Sequence, residues 1–530
     1  MSTISEAAAS GSLTEAESPV VPAIIRGRVV TDSLIEFAGR GGSTTFRTPD
    51  PRQYARQLPL ASPAQQADLY DLSFDDILDY LEGLGSRLDI ATNEHLRWAR
   101  SLTYATAHAT KPLIDNAFRG LARRFSRDAV REMADCTVGL DYLNGWVDTP
   151  LHNGTTVSVR AFGARTLHII PGNSVGAAAG TLIKNAFTRS DAIIKTPSNN
   201  PFVAVALGLT MCEYAPDHPM TRHVSIAYWR GGDEEVERTI CQPHNIEKII
   251  AWGGLASVRH VTRYIQPGLE LISLDPKYSC SVIDLSSVSS DDDLRQVAVR
   301  LAVDVGTGNQ EPCSASRVAY AITGGRPDGV ELANRLGTYV YEELLGLPAG
   351  LTTKPKTYDA ELRSNVDSLR LQEEFYNVIG GEDDEGAVVV SQLPDPIDFV
   401  GLLQDRTVNI VPLDSLQDVL GYLDAYTQTV GVYPESLKEQ LLDVAPLYGV
   451  QRFVSLGYSS EHTGRAPHDG LELERRMCKW IVDQRSQPAR ATYASSRPDS
   501  GEASAEADAS PVVPQTLDAV IAATTPDGER

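Results

Sequence analysis

The chain has 530 residues, 42% of them hydrophobic and 22% charged, with a net charge of -23. That is apolar material for more than one lobe in an ordinary globular mix, and the acidic balance excludes a nucleic-acid binder, which needs a basic face to neutralise phosphates. No apolar run reaches the roughly 18 residues of a spanning helix, and MSTISEAAASGSLTEAE has neither a basic start nor an apolar h-region. A cytoplasmic protein without a signal peptide or membrane span is expected.

In chain order, residues 1–20 are Ala-, Ser- and Glu-rich without periodicity, and 487–530 are similar. Both are expected to be disordered tails, since neither buries enough apolar surface to offset ordering entropy. Within the second, LDAVIAATT has the pattern of a short helix. SFDDILDYLEGLGSRL places Phe74, Ile77, Leu78, Leu81 and Leu84 at helical spacing behind Ser73 as N-cap. NEHLRWARSLTYATAH and KPLIDNAFRGLARRF read as further helices. TVSVRAFG and RTLHIIPGN read as strands, SVGAAAGTLIKNAFTR as a small-residue helix, and DAIIK as a buried strand. The alternation runs on through NPFVAVALGLTMCEY (helix), HVSIAYW (strand), DEEVERTICQP (helix) and IEKIIAWGG (strand). Past residue 270 it resumes with SCSVIDL, DDDLRQVAVRLAVDVG, VAYAITGG and GVELANRLGTYVYEELLGL. Short buried strands alternating with helices imply parallel sheets with crossover helices. The fold class is α/β, in two lobes meeting near residue 270, without an internal repeat.

The six cysteines (Cys136, Cys212, Cys241, Cys280, Cys313 and Cys478) form no CxxC and read as reduced thiols. Asn153 in NGT matches a glycosylation sequon, by chance in a cytosolic protein. A full GxGxxG, a P-loop, HExxH and an EF-hand loop are all absent, so no metal site is expected. A dinucleotide stays possible, because helix N-termini and a lysine hold phosphates without a fingerprint. Lys195 ends the strand DAIIK, where a parallel sheet meets its ligand; the alternative is a solvated lysine. Gly253 and Gly254 form a strand-to-helix turn, either plain or open to a phosphate. Cys313 follows Pro312 in a polar loop with Asn309, Gln310 and Glu311, a setting for an accessible nucleophile with nearby oxyanion donors. The other five cysteines lie in or beside apolar elements and are expected in the core.

The order of an Asn loop (HIIPGN), a Lys after a strand (IIKTPSNNPF), a Gly-Gly turn (AWGG) and a Cys loop (NQEPCSASRV) resembles the aldehyde dehydrogenase superfamily. VPAIIRGRVV, DPKYSCSVID and PHDGLELERRMCKWIV extend the likeness over roughly residues 20–485. Within that superfamily the LuxC-type acyl-CoA (fatty acyl) reductases are most similar. The resemblance implies an NAD(P)-binding Rossmann-like lobe over 21–270, with an oligomerisation flap near 140–165. It further implies a catalytic lobe over 271–455 and a C-terminal segment over 456–486 that packs back or oligomerises. It makes Cys313 the acyl-forming nucleophile, with Asn173 and the Cys313 N–H as the oxyanion hole. Lys195 and Ser198 would flank the adenosine ribose, Trp252, Gly253, Gly254 and Leu255 would lie under the pyrophosphate, and Pro171 would also bind the cofactor. A serine at position 198, where the superfamily often has glutamate, leaves room for a 2′-phosphate and favours NADPH over NADH.

Two departures matter. The general-base glutamate of hydrolytic members falls on Ser273, in ISLDPK, unless the alignment shifts to Glu270. Without that base, water is poorly activated against an acyl-enzyme, as suits a reductase of acyl-CoA or acyl carrier protein thioesters. Glu311, two residues before Cys313, replaces a neutral residue, and its charge would oppose a thiolate unless it points away. His468, in RAPHDG, reads as a surface-loop histidine, with a proton donor as the alternative. The competing functions are an NAD(P)-dependent aldehyde dehydrogenase making acid and an inactive scaffold. A homo-oligomer and an acyl-activating partner enzyme are implied by the resemblance alone.

Overall fold

The buried strand runs assemble into two seven-stranded sheets. A computed structural model describes residues 18–39, 45–152, 154–461 and 464–485. Most of the expected N-terminal tail, the tail over 487–530, the LDAVIAATT helix and the Asn153 sequon lie outside those residues. Ser18 to Val20, assigned to the tail, are instead paired: Val20 bridges Arg47, and the Pro19 carbonyl accepts the Arg47 N–H at 2.9 Å.

The first sheet contains β1 (Ala23–Ile25), β2 (Arg28–Val30), β3 (Arg165–Ile169), β4 (Asp191–Lys195), β5 (Val224–Ala227), β6 (Lys248–Trp252) and β7 (Glu270–Leu274). Its order is β7-β6-β3-β4-β5-β1-β2, parallel from β7 to β5, with β1 and β2 antiparallel at one edge. The second contains β8 (Tyr278–Asp284), β9 (Ser316–Ile322), β10 (Tyr376–Gly380), β11 (Ala387–Ser391), β12 (Val408–Leu413), β13 (Thr427–Tyr433) and β14 (Arg452–Ser455). It runs β10-β11-β12-β9-β8-β13-β14, with only β10 antiparallel.

Both sheets are covered on both faces, which is why their strands read as unbroken apolar runs. In β4, Ala192 and Ile194 enter one core while Ile193 enters another; in β11, Val389 faces away from Val388 and Val390. Helices close these faces. Among them are α1 (Phe74–Gly85), α2 (Glu94–Thr106), α3 (Val175–Phe187), α4 (Phe202–Tyr214), α5 (Leu255–Thr262), α6 (Asp291–Gly306) and α7 (Gly329–Gly346). The predicted cap of α1 is present: Ser73 and Asp76 form a reciprocal capping box, at 2.8 and 3.1 Å. Helix α4 is buried all round from Phe202 to Met211, as expected for a helix apolar on every side.

Among the described residues, packing separates a large unit, 18–147 with 159–482, from a small one, 148–158 with 483–485. In the small unit the Leu151 N–H donates to the Thr155 carbonyl at 2.8 Å, and Ser158 Oγ donates to Asp148.

Candidate active site

In the first sheet the chain winds outward from β3 to β4 and β5, then returns to the other side of β3 as β6. Such a reversal opens a crevice beyond the carboxyl ends of the two strands, here β3 and β6. Pro171, Gly172 and Asn173 follow β3, and Trp252, Gly253 and Gly254 end β6. The expected Asn loop and Gly-Gly turn therefore flank one crevice. Gly254 is the N-cap of α5 and carries no side-chain cap. A Cβ there would meet nothing within 4 Å, so the space over the helix N-terminus is open. At Gly172, in contrast, a Cβ would overlap the Asn199 side-chain amide, which would have to move aside. Asn173 is exposed, as is Leu255.

Lys195 ends β4, and its ammonium lies 5.7 Å from the Tyr228 ring and 5.5 Å from the Trp229 ring. Burial lowers its pKa to about 8, against the upward pull of Glu237. It is not the solvated lysine of the alternative reading. Two buried polar atoms beside it, Thr196 Oγ1 and Trp229 Nε1, lack hydrogen-bond partners. A half-buried cation, two orphaned donors and an uncapped helix N-terminus fit an anionic, phosphate-bearing ligand. Ser198 is half-buried in the loop that follows.

Cys313 lies at the amino edge of the second sheet. It is exposed, the first central residue of a turn closed by the Ala315 N–H on the Pro312 carbonyl at 3.0 Å. The loop before it is strongly held. Asn309 and Gln310 both take left-handed backbone, at φ 54 and 66. Asn309 Oδ1 accepts from Thr352 Oγ1 and Thr353 N–H at 3.0 and 2.8 Å. Gln310 Nε2 donates to the Ser316 and Thr407 carbonyls at 2.9 and 2.8 Å, and its Oε1 accepts the Thr407 N–H at 2.9 Å. Ser279 Oγ donates to the Cys313 carbonyl at 2.7 Å and accepts the Thr429 N–H at 3.2 Å. Desolvation raises the Cys313 pKa. The Gln428 amide and the N–H groups of Cys313 and Ser314 face the sulfur and lower it, while Asp469 raises it.

Several expectations change. Glu270 is no displaced base. It opens β7, at the end of the strand away from the crevice, and its carboxylate is taken by Arg476 at 2.6 and 3.0 Å and Lys248 at 2.9 Å. Those cations hold its pKa below the ordinary carboxylate range. Glu311 is directed to His108, Asp405 and Lys356. Burial raises its pKa to about 7, and its Oε1 is buried without a partner. His468 is half-buried, its ring 5.3 Å from that of Trp252. Cys136 is exposed, not in the core, because its helix Arg127–Thr137 turns Val130 and Ala134 inward instead. Cys241, Cys280 and Cys478 are buried as expected, and Cys212 is partly so.

Pro171, Asn173, Lys195, Ser198 and Trp252 to Leu255 thus share the carboxyl edge of the first sheet, and Cys313 stands at the amino edge of the second. The segment after residue 464 links the two through His468 on Trp252 and Asp469 on Gln428. Sequence reasoning missed Gln428, Asp469 and Ser279. The one available signal was a glutamine inside the apolar strand run TQTVGVY, where a buried polar group needs a partner.

Residues 69–480 match the family model for acyl-CoA reductase (LuxC). The long-chain acyl-protein thioester reductase of Vibrio harveyi is 22% identical over 420 residues, covering 79% of this chain and 84% of the relative. That of Photobacterium phosphoreum is 24% identical over 367 residues, covering 68% and 70%. Among solved structures, a lactaldehyde dehydrogenase superposes with a TM-score of 0.66 at 14% identity, covering 89% of this chain and 100% of that one. The NADP complex of a glyceraldehyde-3-phosphate dehydrogenase from Bacillus halodurans gives 0.65 at 12%, covering 88% and 99%. The aldehyde dehydrogenase fold is therefore shared, and with the family match covering most of its length the chain belongs to the LuxC family of acyl-CoA reductases.

Proposed function

We propose that the chain reduces an acyl thioester to an aldehyde through an acyl intermediate on Cys313, with NADPH as the preferred reductant. The observation that carries this reading is the Cys313 turn: an exposed thiol whose sulfur is faced by two backbone N–H groups and an amide. The Cys313 sulfur attacks the thioester carbonyl, and the thiol of coenzyme A or a carrier protein leaves. Asn173 and the Cys313 N–H hold the carbonyl oxygen, and each such donor contributes about 3–4 kcal/mol in comparable acyl-transfer sites. A nicotinamide cofactor, when bound, supplies hydride. Breaking the carbon–sulfur bond then frees the aldehyde and returns the thiolate. Lys195 and Ser198 hold the adenosine ribose, with Lys195 on its 2′-phosphate. Pro171 and Trp252 to Leu255 line the pyrophosphate crevice.

Glu270 does not replace the missing base at Ser273, because its carboxylate is held by two cations. An acid-forming dehydrogenase therefore has less support. The segment near 140–165 serves as the oligomerisation flap, and an acyl-activating enzyme is the expected upstream partner.

The test is cofactor oxidation with acyl-CoAs of graded chain length, NADPH beside NADH, with the aldehyde trapped. Wild type should turn over, and Cys313→Ala should lose at least about 10³-fold in rate. Undiminished turnover in Cys313→Ala would overturn the assignment; acid made from aldehyde, with thioesters inert, would overturn the reaction.

A further inference from the structure

The thiol that must ionise lies in a site whose desolvation opposes ionisation, and one of its close charges is an anion. The charged groups around it are Arg317 on β9, Arg452 on β14 and Asp469 in the C-terminal segment. The two arginines are engaged elsewhere: Arg317 donates to the Gly401 carbonyl at 3.0 Å, and Arg452 to the Ser459 carbonyl at 2.7 Å. His468 adjoins Asp469 at 3.7 Å. None of these is a direct hydrogen-bond partner of the sulfur.

Gln428 is placed differently. It is the second residue of β13, 2% exposed, and the N–H of its neighbour Thr429 shares the Ser279 hydroxyl with the Cys313 carbonyl. Its Nε2 donates to Asp469 Oδ1. A carboxylate only accepts, so Asp469 decides which end of the amide faces it. The NH₂ end turns to Asp469 and keeps a second N–H, while Oε1 stays buried without a donor. Leaving that acceptor unmatched is costly, and a free amide would rotate to relieve it.

We propose that Gln428 is a catalytic hydrogen-bond donor to the Cys313 sulfur and that Asp469 is the positioning residue that holds the amide in the donating orientation. The inference rests on Cys313 being the nucleophile. Asp469 then has two opposed effects on the thiol. Its charge disfavours the thiolate directly, and its grip on Gln428 favours it. The opposition makes the idea testable by sign.

The experiment is iodoacetamide alkylation of the full-length protein without substrate or cofactor, from about pH 6 to pH 10, read by mass spectrometry on the Cys313 peptide. Exposed Cys136 is the internal reference. Gln428→Met keeps volume and removes the donor; Cys313 alkylation at pH 8 should fall about tenfold, its profile moving up by about one pH unit. Asp469→Ala should slow it as well, although loss of a nearby negative charge alone would accelerate it. Asp469→Asn keeps an acceptor and a residue tolerant of the left-handed backbone at φ 53, and should restore the wild-type rate or exceed it. Cys313 reacting in Gln428→Met as in wild type, or faster in Asp469→Ala, would overturn the proposal. Should Asp469→Ala fail to fold, shown by loss of circular dichroism, Gln428→Met decides alone. The function is judged apart, by aldehyde formation in Cys313→Ala, so an unchanged alkylation profile leaves that reading standing.

Discussion

The carboxyl edge of the first sheet and the amino edge of the second are built on opposite principles. Around Cys313 the loop is tied down: Asn309, Gln310 and Ser279 bind it to three other segments, and two non-glycine residues are held left-handed. Such backbone costs about 1–3 kcal/mol per residue and persists only where its surroundings over-determine it. Around Lys195 the reverse holds. A hydroxyl and an indole N–H are buried without hydrogen-bond partners beside a half-buried ammonium held against two aromatic rings, and the helix N-terminus at Gly254 is open. On the roles proposed above, the nucleophile is positioned before its substrate arrives, whereas the cofactor site is completed by its ligand.

That contrast can be broken most severely at Gln310. Gln310→Ala removes three buried hydrogen bonds and leaves their backbone partners unsatisfied. It should destabilise the protein by about 2–4 kcal/mol in urea unfolding and lower kcat with it. An unchanged unfolding midpoint would show that the loop is held by other means.

The open edge should respond in binding instead. Lys195→Met should weaken NADPH about 10–100-fold in a fluorescence titration, weaken NADH far less, and leave unfolding unchanged or improved. With the Lys195 pKa lowered to about 8 by burial, NADPH affinity in wild type should fall as pH rises through that value, and the fall should vanish in the variant. Equal losses for both cofactors would place the lysine away from the 2′-phosphate.

Glu311 sharpens the comparison through pH. Its folded pKa, about 7, lies above the ordinary 4.5. Between those values the folded state keeps a proton that the unfolded chain has lost, so this group's contribution to stability falls as pH rises. Below the lower value both states are protonated and the penalty disappears. Glu311→Gln should therefore be more stable than wild type at pH 8, by about 1–3 kcal/mol, and equal to it near pH 4.5. Matching thermal midpoints at both pH values would mean that the carboxyl is compensated by His108. The smallest effect is expected at Glu270. Glu270→Gln should leave kcat for thioester reduction within about threefold, since its carboxylate holds Lys248 and Arg476 and does no chemistry. A collapse of turnover would restore the idea of a base there.

Much of this was legible in the residues. Buried strands such as DAIIK and KIIAW announce a parallel sheet because apolarity without alternation fits only a strand covered on both faces. The same local logic placed Lys195 at a strand end, Gly254 at a turn and Cys313 in a loop, and it found the Ser73 cap. Those assignments depend on neighbours within a few positions, where spacing alone determines structure.

Local spacing could not decide what faces what. Glu270 lies three residues from Ser273 and looked available as a base; the strand carries it to the far end, against Arg476, more than two hundred positions later. Glu311 is only two residues from Cys313 in sequence but directed to His108 and Asp405. Gln428 and Asp469, which reach Cys313, lie over a hundred positions beyond it. Charges and amides act through space over a few ångströms, so their partners are chosen by how the sheets bring distant strands together, and only the tertiary structure records that choice.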